Sequence, residues 1–167
     1  MTITVLVRLR TPDRRLLLFF VPAAIILGQN ASPPPPPPDQ DPFVGAWRAN
    51  EAKSRPKLNR TERSYTRTIE RSGDDLVFSS TGGASKALVR QFSIRCDGLR
   101  HTLPAGAFLS CTYTAPDRVE GETLGPNRKL SYWARQVSPD GQLMTIFEYK
   151  DKARTKINSV MVLDRLK

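Results

Sequence analysis

From Phe43 to the C-terminus, short runs rich in Val, Ile, Thr, Tyr and Phe alternate with turn-forming residues, and no window sustains the i, i+3, i+4, i+7 spacing of an amphipathic helix. A chain patterned this way folds as β structure. Strands are expected at Val44–Ala49, Ser64–Arg71, Leu76–Thr81, Leu88–Cys96, Leu109–Thr114, Arg118–Thr123, Leu130–Val137, Leu143–Tyr149 and Ile157–Arg165. Between them, Ser72-Gly73-Asp74-Asp75, Gly82-Gly83, Asp97-Gly98, Gly125-Pro126-Asn127 and Pro139-Asp140-Gly141 supply the positive or preset φ of tight turns. Strands adjacent in sequence should therefore pair antiparallel. About nine such strands remove their exposed edges by closing on themselves. An up-and-down β-barrel or curved half-barrel is the expected all-β fold, with a two-sheet β-sandwich as the alternative. Residues Asn50–Asn59 interrupt the pattern with one helix-compatible turn and Pro56, and should cross the surface between the first two strands.

The residues before this domain read as an address. Arg8, Arg10, Arg14 and Arg15 precede an apolar stretch, Leu16 to Leu27, of about twelve residues, the length of a signal-peptide core. A spanning helix needs about twenty, and Pro22 disfavours a permanent anchor. Cleavage is expected after Gly28 or Ala31, so that residues 1–31 form a signal peptide and the protein is secreted or periplasmic, with no stable transmembrane segment after cleavage. Pro33 to Pro38 favour an extended polyproline II rod, and residues 32–41 read as a linker to a domain over 42–167.

Net charge is +10 for the 167 residues and about +7 once residues 1–31 are set aside. A basic surface attracts anionic lipid, polysaccharide or nucleic acid without selecting among them. The longest basic cluster, Lys150 to Lys156, is interrupted by Asp151, Ala153 and Thr155 and reads as a solvated bend between strands. No nucleic-acid motif accompanies it, so nucleic acid is not an expected partner.

Few residues carry chemistry. Cys96 and Cys111 are the only cysteines, and at the ends of neighbouring strands in an oxidising compartment they should form a disulfide, rather than a redox pair or metal ligands. His101, the one histidine, falls between them with no nucleophile elbow to partner it. Asp74-Asp75 mark a hairpin tip without a calcium-loop pattern, and Glu120 and Glu122 share the exposed face of a strand. No metal, no cofactor and no catalysis are expected.

Arginine on otherwise apolar faces is the one unusual pattern: Arg67 between Tyr65 and Ile69, Arg90 between Leu88 and Phe92, Arg135 between Trp133 and Val137. Alternation places each i, i+2 set on one side of the sheet. Inside a barrel, such guanidiniums with Tyr65 and Tyr132 would form a fork for a ligand carboxylate. On the rim or outer face they would lie over aromatics with their heads in water. Trp47, Phe78, Phe92, Ile94, Tyr113, Tyr132, Phe147 and Met161 are candidate core residues.

The segment Asp41-Pro42-Phe43-Val44-Gly45-Ala46-Trp47, followed by Ala52-Lys53-Ser54, resembles the opening of small secreted bacterial lipocalin-like (calycin-type) proteins, most of which have no assigned activity. Asp97-Gly98, Ser138-Pro139-Asp140-Gly141 and Val162-Leu163-Asp164-Arg165 follow in the order of that group. The resemblance implies that Gly45 permits close packing, that Trp47 plugs the closed end, and that the open end takes a small apolar or acidic molecule. The competing reading is a filled barrel whose basic exterior contacts an anionic envelope surface.

Overall fold

Short alternating strands with tight turns give one continuous sheet. In the computed structural model, which describes residues 33–58, 60–82, 87–103, 106–125 and 127–167, it has ten antiparallel strands. These are β1 (Gly45–Arg55), β2 (Thr66–Ser72), β3 (Asp75–Gly82), β4 (Ala87–Arg95), β5 (Asp97–Thr102), β6 (Phe108–Ala115), β7 (Arg118–Leu124), β8 (Leu130–Val137), β9 (Leu143–Tyr149) and β10 (Ile157–Arg165). A single helical turn, α1 (Arg60–Arg63), sits between β1 and β2. The sheet runs β4-β3-β2-β1-β10-β9-β8-β7-β6-β5, so every neighbour is a hairpin partner except β1 and β10, which bring the two ends of the domain together. This is an up-and-down, nearly closed barrel, and the single sheet removes the sandwich alternative.

Two elements differ from the sequence expectation. β1 continues through Asn50–Arg55 with an irregularity in its pairing to β10, because Ser54 turns inward, donates to Asn50 O at 2.6 Å and accepts from Val162 N at 3.0 Å. β5 occupies the Asp97-Gly98 segment expected as a turn. Gly98, at φ +81°, supports the irregular register between Asp97 and Arg100, and the strand is exposed along most of its length. The expected signal segment lies outside the described residues.

The seam lies between β4 and β5, which share no ladder among the described residues. Cys96 ends β4 and is bonded to Cys111 on β6, a covalent link across that seam closing a loop of 15 residues.

One end of the barrel is solid. Phe43, Trp47, Ile69, Leu76, Ile94, Tyr113, Val119, Val137, Met144 and Leu163 are buried there. Trp47 is 0% exposed, donates from Nε1 to Phe43 O at 3.0 Å, and lies under the Arg165 guanidinium at 4.2 Å. Arg165 in turn donates to Val44 O and Pro42 O, tying the last strand to the chain entering the first. A Cβ on Gly45, which sits at φ +139°, would stand 2.6 Å from Arg165 Nη1. Asp41 closes the same floor: its carboxylate accepts from Phe43 N, Arg71 Nη1 at 2.9 Å and Tyr113 OH at 2.7 Å. Burial, followed by the hydrogen bond and charge of Asp41, pushes the Tyr113 phenol up, so it stays a donor.

Candidate functional site

The open half of the barrel is not filled. A cavity of about 530 Å³ is lined by Arg55 at the end of β1, by residues from the β1–β2 connection and by residues from β2, β4, β6, β7, β8, β9 and β10. That volume falls in the ordinary range for small-molecule sites, about 300–1,000 Å³. Its apolar wall includes Phe92, Leu109, Trp133, Ile146 and Met161, and Pro56 and Leu58 reach it from the connection that carries α1. Leu58 is itself buried.

Period-2 alternation carries three guanidiniums into this space. Arg67, Ser80 and Arg90 lie opposite one another across β2, β3 and β4. Arg135 enters from β8, in line with Ile146 of β9 and Met161 of β10. It is 7% exposed, and its guanidinium lies 4.5 Å from the Trp133 ring and 4.6 Å from the Phe78 ring. Arg67 stands over Tyr65 at 5.1 Å and Arg90 over Phe92 at 4.9 Å. Stacking of this kind orients the planar groups and offsets part of their desolvation.

The polar bonding of the group is incomplete. Tyr65 OH and Ser80 Oγ are 2.9 Å apart, and Arg67 Nε donates to the same Ser80 oxygen at 3.4 Å. Arg135 Nε and Nη1 are buried and have no hydrogen-bond partner among the described residues. Burial first, then the charge of Arg67, push Arg135 down to about 9, with Tyr65 opposing and Arg90 adding the smallest effect. Arg67 is lowered as well, chiefly by burial, with Tyr65 opposing and Arg90 adding. Arg135 remains cationic at neutral pH, in surroundings where an anion would relieve it. Carboxylates line the cavity only as Glu62 of the connection and Glu148 of β9, the latter exposed and accepting from Ser159 Oγ at 2.9 Å.

Of the residues singled out from sequence, Tyr65, Arg67, Arg90 and Arg135 line one cavity. Tyr132 does not: its neighbours Ser131 and Trp133 line the cavity, and Tyr132 points to the opposite face of β8, opposite Tyr149. Phe147, expected in the core, is likewise on the outer face, stacked on Tyr149 and beneath Arg118. Sequence reasoning missed Ser80, a polar residue at an inward position of an alternating strand, and Leu58, which belongs to no strand. At Gly121, between Glu120 and Glu122, a Cβ would collide with Ser110 O and the Trp133 ring, so the glycine makes room for the indole.

The remaining candidates sit on the outside. His101 lies on β5 and contacts Asp97 Oδ1 at 2.8 Å. Glu120 and Glu122 pair with Arg118 and Arg154, and with Arg100 and Lys152. Asp74 and Asp75 pair with Arg95. Among the described residues no group of three or more His, Cys, Asp or Glu side chains is placed to hold a metal, and no helix is long and apolar enough to cross a membrane.

No protein-family model matches the sequence, and no curated protein matches it. Solved structures do match the fold. A REP1-NXSQ fatty acid transporter superposes with a TM-score of 0.52 at 14% identity, over 75% of this chain and 96% of its own. A Schistosoma mansoni fatty acid binding protein in complex with arachidonic acid gives a TM-score of 0.52 at 10% identity, over 77% of this chain and 98% of its own. At that identity the likeness is one of architecture. The chain is thus a ten-stranded up-and-down barrel similar in fold to a fatty acid transporter and a fatty acid binding protein.

Proposed function

We propose that this domain is an exported, non-catalytic carrier of a small amphipathic acid. The anionic head sits on Arg135 and Arg67 with Tyr65 as a further donor, Arg90 stands nearer the mouth, and the apolar part lies against Leu109, Trp133, Ile146 and Met161. The carrying observation is Arg135: a buried guanidinium with two nitrogens that have no hydrogen-bond partner among the described residues, lining a cavity beside Trp133, Ile146 and Met161 and facing two further guanidiniums, Arg67 and Arg90. A charge so placed is costly until an anion pairs with it. Fold neighbours named for fatty acid binding and transport support the apolar part of the ligand. The Cys96–Cys111 disulfide supports an oxidising, extracytoplasmic destination, as does the signal-like N-terminus.

Displacement of a fluorescent sulfonate probe by a panel of fatty and aromatic acids tests the reading. Arg135→Met is expected to weaken acid binding at least tenfold while leaving uncharged analogues of the same tail within about twofold, since one charge-assisted pair contributes roughly 1.5–3 kcal/mol. Equal affinity of acid and uncharged analogue for the unmodified protein would overturn it.

A further inference from the structure

The connections at the two ends of the barrel carry opposite charge. At the closed end, the entering segment holds Asp39 and Asp41, and the β2–β3, β6–β7 and β8–β9 turns hold Asp74, Asp117 and Asp140. None of those turns contains Lys or Arg, but Asp41 pairs with Arg71, Asp74 pairs with Arg95, and Lys167 follows β10 at this end. At the mouth the sign reverses. The β9–β10 connection carries Lys150, Lys152, Arg154 and Lys156 against Asp151, and the β7–β8 connection carries Arg128 and Lys129 with no acid.

Some of this charge is engaged: Arg154 pairs with Glu120 at 3.3 Å and Lys152 approaches Glu122 at 4.0 Å. Arg128, Lys129, Lys150 and Lys156 are exposed and make no ion pair among the described residues. Beside them lie two of the three large apolar residues exposed among the described residues. Leu130, 38% exposed, follows Lys129, and Ile157, 54% exposed, follows Lys156. Basic hairpins with an aliphatic residue at each base fit an anionic bilayer, where lysine and arginine meet headgroup charge and the aliphatic groups reach the acyl boundary. A nucleic acid or sulfated polysaccharide would use the cations but leave the aliphatic residues in water.

We infer that the β7–β8 and β9–β10 connections form a docking surface for anionic lipid bilayers, which turns the cavity mouth to the membrane and the acidic end away. The axial asymmetry supplies the orientation as well as the attraction, because the field of an anionic membrane draws in the unpaired cations of the mouth more strongly than the closed end, whose charges are largely compensated.

Cosedimentation of the exported protein, recovered after removal of residues 1–31 and with its disulfide formed, with vesicles of phosphatidylcholine alone or containing 30% phosphatidylglycerol tests this. The expected result is binding that depends on phosphatidylglycerol and is lost in high salt. The double variant Lys150→Glu/Lys156→Glu should bind at least tenfold more weakly. Asp74→Lys/Asp140→Lys, which adds the same amount of charge at the opposite end, should leave binding to anionic vesicles within about twofold. Ile157→Ser, which removes the aliphatic group and leaves the charge unchanged, should weaken it without changing binding to heparin. Each variant is checked for an unchanged circular dichroism spectrum, and Lys150→Gln/Lys156→Gln replaces a reversal variant that does not fold. Equal binding to both vesicle types, a gain from Asp74→Lys/Asp140→Lys as large as the loss from Lys150→Glu/Lys156→Glu, or capture by heparin but not by anionic vesicles would overturn the inference.

Discussion

Arg135 is held between the rings of Phe78 and Trp133 and faces Arg67 and Arg90, so that aromatic faces steady the guanidinium while the nearest charges repel it. Removing an uncompensated buried charge in favour of a similar apolar volume is commonly neutral or stabilising, by about 1–4 kcal/mol. Arg135→Met should therefore keep or raise the chemical-denaturation free energy of the ligand-free protein even as it removes acid binding. Loss of both would mark a purely structural residue. The direction of its titration gives a second expectation. With its folded value near 9, Arg135 is charged below that pH and loses its proton as pH rises through it. Affinity for a sulfonate, which stays anionic throughout, should be steady from neutral pH to about 8 and fall as pH passes 9; in Arg135→Met that fall should vanish. Gly45 belongs to the same scale. At φ +139° and with Arg165 Nη1 in the space of a Cβ, Gly45→Ala should cost roughly 1–3 kcal/mol, read from urea midpoints.

At the level of strands, β8, β9 and β10 have the bounds expected from their residues, because each alternates over a long run between strong turns. β5 escaped notice because alternation is visible only where one face is buried, and its residues are mostly exposed, Leu99 at 65%. The candidate site was legible to the same extent. Tyr65 and Arg67 are two apart and share a face, whereas Tyr132 and Arg135 are three apart, so the period of a strand sends them to opposite sides. Which side is interior follows only from closure of the sheet, and closure depends on contacts distant in sequence, such as β1 with β10. The seam makes the disulfide a local fastening: with no ladder between β4 and β5, the Cys96–Cys111 bond carries part of the closure. Its reduction should lower stability by about 3 kcal/mol, the chain-entropy value for a loop of this size, and should speed amide exchange in β4 and β5 before the other strands.

Across the whole molecule the barrel divides into a solid half and a hollow half. Trp47, Arg165 and the Asp41–Arg71–Tyr113 network fix the closed end, which lets the open end hold charged groups that a filled core would not tolerate. A ligand bound only to the folded barrel should stabilise it by about 2.7 kcal/mol at a hundredfold excess over its Kd, seen as a rising thermal midpoint that Arg135→Met abolishes. The central claim is that one small acid occupies the hollow half. Native mass spectrometry of the protein recovered from its own extracytoplasmic fraction, followed by denaturation and identification of what is released, tests it most directly. The account predicts one amphipathic acid per barrel, lost from Arg135→Met. A mass matching the polypeptide alone, with no uptake from a panel of lipids and organic acids, would contradict it.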